Sequence, residues 1–433
     1  MSALLAIPPL LRLLIAFIFM LVAIKKKAPL SYAFVGGAIL VGLMFGMSIP
    51  ALGLSMVYAL IDPKTLSLAV VVSLILVFSN SLESTGQMKR MLESFKGLVR
   101  IPLLNLLIFP ALIGLLPMPG GAVFSAPMVR NIGKEQEFSD DQLSYINYWF
   151  RHIWEYWWPL YPGVLLTTAL ANIDLWTFMI VSLPLSVVAT VVGYWPLRNA
   201  LGTDKAGDQG RPGQKHYRTF IMELFPILLV IVLGIGAGSL FSAILDKPLV
   251  NISKELGLIL ALMMGIVLVW RKNKLTARER WGIMKEDALR KIFLMIASIL
   301  IFKGLLADSG AVEQISRELL DWHIPLVPVV MFLPFLVGGV AGITIAFVGT
   351  TFPILVSLIQ SSGQVELMLP LMMLAIVCGF LGVLLSPLHL CLILSNTYFN
   401  ANLNGVYKEM WVPALGLFVG SGAYFLLIRA LMT

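Results

Sequence analysis

The sequence predicts an all-α polytopic membrane protein. It should contain two inverted-topology repeats, each with a re-entrant hairpin and a discontinuous helix, making about ten transmembrane helices plus two hairpins. Three observations predict this. Of 433 residues, 59% are hydrophobic and 12% charged, whereas soluble domains carry roughly a quarter charged residues. Apolar runs near or above the roughly 20 residues that cross a bilayer recur along the whole length, leaving no comparable stretch for a soluble catalytic domain. One self-similar pattern returns after about 224 residues, with glycine and proline interruptions at matching places in both copies.

The first apolar run, Leu4 to Ile24, ends at Lys25, Lys26 and Lys27. It lacks a basic leader and a small-residue cleavage site, so it reads as a retained span rather than a signal peptide. Lysine and arginine gather at Lys25 to Lys27, Lys89 to Arg100, Arg198 to Arg218 and Arg271 to Lys291, and all four groups should face the cytoplasm. Threading the spans between them runs Leu4 to Ile24 inward and Leu30 to Met47 outward. Leu66 to Leu82 and Leu175 to Leu197 then run inward. Both termini are expected outside a cell (inner) membrane, as is the acidic stretch from Asp308 to Asp321. The net charge of +8 is accounted for by these loops, which removes nucleic acid from the expected partners and leaves membrane lipids. Cys378 and Cys391 share one apolar stretch, where cysteine behaves as a small buried hydrophobe. No cofactor is expected. No metal is expected either, because there is no His-Glu-x-x-His pair or cysteine cluster and the histidines at 152, 216, 323 and 389 are scattered.

Within the repeat, Ser73-Leu-Ile-Leu-Val-Phe78 is echoed by Ser298-Ile-Leu-Ile-Phe302. An amphipathic connector with a glycine near its start follows in each, at Gly86 or Gly310. An Ile-Pro-Leu opening comes next, at Ile101 or Ile324. The first half covers 1–200, a cytoplasmic linker 201–218 and the second half 219–433. Because the first copy starts outside and the second inside, the halves have opposite topology, the arrangement of alternating-access transporters.

In the first half the run from Ile101 breaks at Leu116-Pro-Met-Pro119-Gly120-Gly121-Ala122. In the second, the run from Ile324 breaks at Gly338-Gly-Val-Ala-Gly342 and again near Gly349-Thr-Thr351. Irregular backbone at membrane depth survives only where protein or a water-filled cavity satisfies it, so both segments read as re-entrant hairpins, about 101–129 and 324–360. The next segments, about 144–171 and 367–399, are broken helices, with Pro159 and Pro387 near corresponding places. A broken helix leaves free N–H groups on one stump and free carbonyls on the other, attracting anions and cations respectively.

Arg151, His152 and Glu155 occupy the first broken helix and His389 the second. A charged group at the bilayer centre costs roughly 3 kcal/mol on insertion scales, so such residues normally line a cavity and pair with one another. The alternative for Arg151 and His152 is an interfacial aromatic belt with Tyr145, Tyr148, Trp149 and Trp154. A histidine at 389 is also compatible with a hydrogen-bonded core residue.

The strings Leu115-Leu-Pro-Met-Pro-Gly-Gly-Ala122, Phe150-Arg-His-Ile-Trp-Glu-Tyr-Trp-Trp-Pro159 and Ser386-Pro-Leu-His-Leu-Cys391 resemble those of the membrane family catalogued as domain of unknown function 401. That family is placed in the ion transporter superfamily, alongside gluconate permeases and di- and tricarboxylate carriers, and the resemblance covers nearly the whole chain. It implies inverted repeats, a homodimer and elevator motion. It further implies that hairpin tips at Gly120, Gly121 and Ser125 and at Thr344, Thr350 and Thr351 line the substrate and coupling-ion site. The broken helices would add Tyr161 and Ser386, Pro387 and His389. The only Ser-Asn-Thr string, Ser395-Asn396-Thr397, lies outside the hairpins, a departure from sodium-coupled carboxylate carriers.

The expected function is secondary active transport of a small organic anion, carboxylate-like and coupled to protons or sodium. Arg151, His389 and the hairpin hydroxyls would recognise substrate, with Glu155 or a histidine exchanging protons. Three other readings fit the residues. One is a cation/proton antiporter with Glu155 on the ion. Another is an intramembrane hydrolase using Ser386 and His389, and the last is a passive channel.

Overall fold

The computed structural model describes residues 7–95, 98–99, 102–118, 120–198, 214–246, 249–322 and 325–432. Pro119, Ile101, His323, Ile324 and most of the 201–218 linker, Lys205 included, lie outside the described residues. Among the described residues there are α-helices and short 3-10 turns but no strand.

The chain opens with α1 (Pro9–Lys25), α2 (Leu30–Met44), α3 (Ile49–Ile61), α4 (Pro63–Ser84) and the short amphipathic α5 (Gln87–Phe95). Next come α6 (Pro102–Gly114), α7 (Ala122–Glu135), α8 (Asp140–Trp149), α9 (Pro162–Ala171) and α10 (Leu175–Tyr194). The second stretch begins with α11 (Gln214–Ile244), α12 (Ser253–Lys272), α13 (Ala277–Met284), α14 (Asp287–Asp308) and α15 (Ala311–Asp321). It ends with α16 (Leu326–Ala341), α17 (Thr344–Ser361), α18 (Met368–Leu384), α19 (Leu390–Phe399) and α20 (Leu403–Met432).

Helix boundaries follow local chemistry. Ser48, Asp62 and Asp174 accept hydrogen bonds from the backbone N–H groups that open α3, α4 and α10, and Ser139 with Gln142 closes a capping box on α8. Element starts recur at similar offsets, 224 and 228 residues: Pro63 and Asp287 each open a helix of 22 residues, and Pro162 and Leu390 each open one of 10. Left-handed residues recur in step, at Gly86 and Gly310, Gly120 and Gly342, and Asn172 and Asn400. Such residues let the backbone turn at or near a helix end.

Among the described residues, seven helices are long and apolar enough to cross a membrane, against about ten expected. Six shorter apolar helices accompany them, α2, α3, α9, α16 and α19 among them. Their composition is that of a multi-pass membrane protein. The apolar window of α18 is 89% buried, whereas that of α11 is 22% buried; α18 is the centre of the molecule and α11 its rim. Ile180, Val187 and Val191 on α10 and Val232 on α11 are exposed, which suits lipid as the surrounding solvent.

Small residues let the central helices approach. A Cβ on Gly338 would lie 2.1 Å from the Gly379 carbonyl oxygen, and one on Gly382 2.1 Å from that of Phe335, so α16 and α18 pack backbone to backbone. This corrects one reading of the sequence. Gly338 and Gly339 lie inside α16, Gly338 at its close approach to α18, and only Gly342 of that string breaks the helix. Gly349-Thr-Thr351 is no break either, since α17 runs through it.

Charges collect at the two ends of α4 and α12. At one end, Arg90 and Lys272 contact Glu223, and Arg90 also donates to Asn273. At the other, Lys254 pairs with Asp174 and Lys64 donates to Asn172 at 3.2 Å.

Candidate functional site

Two helix-turn-helix tips and two helix breaks meet in the interior. The first tip joins α6 to α7. A Cβ on Gly114, the last residue of α6, would lie 2.0 Å from the Arg151 carbonyl oxygen, so the tip rests directly on the break that follows α8. The carbonyls freed at the end of α6 are taken by that break. Trp154 Nε1 donates to Ala111 at 2.8 Å, Trp158 Nε1 to Leu115 at 2.8 Å and the Tyr161 hydroxyl to Gly114 at 2.5 Å. These side chains satisfy acceptors that the helix end leaves without intrahelical donors.

The break itself starts as a 3-10 turn, Phe150–His152, and continues irregularly to Tyr161 before Pro162 opens α9. Pro159 lacks a donor, and Pro162 at the first helical position is preorganised to restart the helix. The path turns Arg151, His152 and Glu155 inward, at 3%, 1% and 9% exposure.

Arg151 Nη2 donates to the Met118 carbonyl at 2.8 Å. Among the described residues, neither Nε nor Nη1 has an acceptor. Gly121 leaves room for this guanidinium: a Cβ there would come within 2.5 Å of Nη1. A buried cation with two open donors, over glycines at a hairpin tip, favours an anion.

The second tip joins α16 to α17 through Gly342, at φ +64. The Thr344 hydroxyl donates to Glu155 Oε2 at 3.2 Å, and its methyl would lie 2.5 Å from a Cβ on Gly163. Gly342 also allows close approach to the second break, since a Cβ there would lie 3.0 Å from Ser386 Oγ and 3.1 Å from the His389 backbone nitrogen. His389 stands at the N-cap position of α19 at 8% exposure, its side chain making no capping bond and its Nδ1 having no partner among the described residues.

The breaks face one another. His152 Nε2 is 3.8 Å from Glu155 Oε1, and its Nδ1 is 2.6 Å from the Tyr148 carbonyl. The rings of His152 and His389 stand edge to face, 5.0 Å between centroids. The ligand atoms of His152, His389 and Cys391 all lie within 4.8 Å of one another.

The structure therefore brings together Gly120, Gly121, Arg151, His152, Glu155, Tyr161, Gly342, Thr344, Ser386 and His389 around these tips and breaks. Other expected site residues stand apart. Thr350 and Thr351 lie nearly two turns into α17, and their hydroxyls bond back to the Ala346 and Phe347 carbonyls, a common use of threonine within a helix. Ser125 donates to Asn147 Oδ1 at 2.6 Å, and Pro387 is exposed on the turn.

Sequence reasoning missed Asn147 and Cys391. Asn147 donates to the Ala122 carbonyl and to Ser395 Oγ, at 3.0 and 2.9 Å, tying the first tip to α19. Cys391, read as a small hydrophobe, follows His389 by two residues in the first turn of α19. Its spacing from His389 is visible in the sequence; its approach to His152 depends on how the breaks pack.

No curated protein matches this chain. Residues 8–427 match the family described as Protein of unknown function (DUF401). The match spans both tips and both breaks, and the chain belongs to the DUF401 family.

Proposed function

We propose that this protein is a secondary active transporter of a small organic anion, carboxylate-like, coupled to protons or sodium and working by elevator-type alternating access. The observation that carries the proposal is Arg151, a buried guanidinium with two open donors at the meeting point of the first tip and first break. A fixed positive charge deep in an apolar interior is costly unless an anion can join it. A carboxylate fits the planar guanidinium fork.

Further observations support the reading. Helix starts and left-handed residues recur in step between α4–α10 and α14–α20, which is the pattern of a duplicated half. Tips and breaks at membrane depth are the parts from which transporters of that kind build their sites. A cavity of about 710 Å³, lined by Lys64, Asn172, Asp174, Lys254, Leu165 and Thr168 among others, lies against the far end of α9. That helix opens after the first break, where Gly163 packs against Thr344 of the second tip, so roughly 15 Å of helix links the cavity's end of α9 to the site. Under the charge-derived topology the cavity faces outside.

Glu155, held by Thr344 near His152, favours a second reading, cation/proton antiport with the carboxylate on the ion.

The test is thermal stabilisation of the purified protein by lactate, succinate, gluconate and citrate, with and without sodium. A ligand that binds only the folded state at 100 times its Kd adds about 2.7 kcal/mol. Stabilisation by at least one carboxylate, lost in Arg151→Gln, is expected. Stabilisation by cations alone would favour the antiporter.

A further inference from the structure

We propose that His152, His389 and Cys391, with Glu155 as fourth ligand, form a binding site for a soft divalent cation of the Zn²⁺ class that bridges the first break to the start of α19. The donor set is two imidazoles, a sulfur and a carboxylate, which suits zinc better than magnesium or calcium. The three nitrogen and sulfur ligand atoms lie within 4.8 Å of one another, and Glu155 Oε1 is 3.8 Å from His152 Nε2. Tetrahedral zinc, with bonds of about 2.0–2.3 Å, holds its ligand atoms roughly 3.3–3.6 Å apart. The three nitrogen and sulfur atoms must contract by about 1 Å, and Glu155, which joins them through His152, must swing further in by side-chain rotation.

Two independent features point to a ligand here. His152 Nδ1 lies 2.6 Å from the Tyr148 carbonyl, so that nitrogen carries the proton and Nε2 is left as an acceptor facing the cluster. A second hydrogen bond of this kind is how proteins orient a metal-binding histidine. His389 Nδ1 is buried and without a partner among the described residues, a polar atom the interior does not otherwise satisfy. As ion binds, the Cys391 sulfur releases its proton to solvent. Thiolate and carboxylate then match the two charges of the ion. The metal site stands on its own geometry and does not depend on the anion reading.

The test is titration of metal-stripped, detergent-purified protein with Zn²⁺ by calorimetry and with Co²⁺ by absorption spectroscopy. One ion per chain should bind at micromolar Kd or tighter. The Co²⁺ complex should show a thiolate-to-cobalt charge-transfer band in the near ultraviolet. Cys391→Ser should abolish the band and weaken Zn²⁺ at least tenfold, while Cys378→Ser keeps both, these being the two cysteines of the chain. His389→Ala should also weaken Zn²⁺ at least tenfold, with His389→Gln as a second variant if alanine does not fold. Absence of one-to-one binding, or a band that survives in Cys391→Ser, overturns the proposal.

Discussion

Replacing Gly121 with alanine should displace the guanidinium of Arg151 while leaving the helices in place. The added methyl would sit 2.5 Å from Nη1, 2.6 Å from Nη2 and 2.7 Å from Cζ. Unbonded heavy atoms prefer about 3.5 Å or more, so the guanidinium has to retreat by roughly 1 Å. Its hydrogen bond to the Met118 carbonyl, 2.8 Å long, cannot survive that shift. A hydrogen bond to a charged group is worth about 1.5–3 kcal/mol, and misplacing the fork by this distance costs a bound carboxylate a similar amount. At 1.4 kcal/mol per factor of ten, carboxylate affinity should fall by roughly 10- to 150-fold. The assay is the carboxylate-induced rise in Tm of Gly121→Ala beside wild type. Gly53→Ala and Gly422→Ala serve as controls, because a Cβ at either position meets nothing within 4 Å. A correctly inserted Gly121→Ala protein with wild-type affinity would refute the placement of the anion on Arg151.

Other outcomes follow from the same geometry. Asn147→Ala removes three buried hydrogen bonds and should lower stability by about 3 kcal/mol, measured by denaturation in detergent. Burial raises the pKa of the Asp174 carboxyl, but hydrogen bonds from Lys254 and Thr177 outweigh it and hold the group below its ordinary value. Its contribution is therefore present above the unfolded pKa of about 3.9 and lost as pH falls through the folded one. The Tm gap between wild type and Asp174→Asn should be small and level from neutral pH to about 5, then close below about 4. A gap that widens in acid contradicts that sign. Impermeant thiol labelling of single cysteines at Lys205 and Glu313 should report opposite sides of the membrane; labelling from one side would remove the inverted-topology argument. Gly342→Leu should abolish transport with little loss of inserted protein, because φ +64 and the nearby Ser386 and His389 leave no room for a side chain.

Much of the helical order was legible because membrane solvent simplifies the code. Apolar length marks the spans, and proline with glycine marks where backbone must find other partners. The breaks at Pro159 and before His389 were readable on that ground, as was the inward turn of Arg151 and Glu155. Glycine was the ambiguous letter. Gly342 ends a helix, whereas Gly338 and Gly339 lie inside one and Gly338 allows close packing with α18, and nothing local distinguishes the two uses. Threonine was ambiguous for a similar reason: Thr344 faces the site, while Thr350 and Thr351 satisfy themselves within α17. Cys391 and Asn147 were illegible, because their partners lie across the repeat, 239 residues away for His152 and 248 for Ser395. Contacts of that range depend on how tips and breaks pack, which a single sequence does not encode locally.

The central claim is concentrative transport of an anion held by Arg151. Its most direct test is uptake of radiolabelled lactate, succinate, gluconate and citrate into proteoliposomes under an imposed proton or sodium gradient, with Arg151→Gln in parallel. The account predicts that wild type accumulates at least one of these above its external concentration, that dissipating the gradient abolishes accumulation, and that Arg151→Gln shows none. Equilibration without accumulation, or full accumulation by Arg151→Gln, would contradict it.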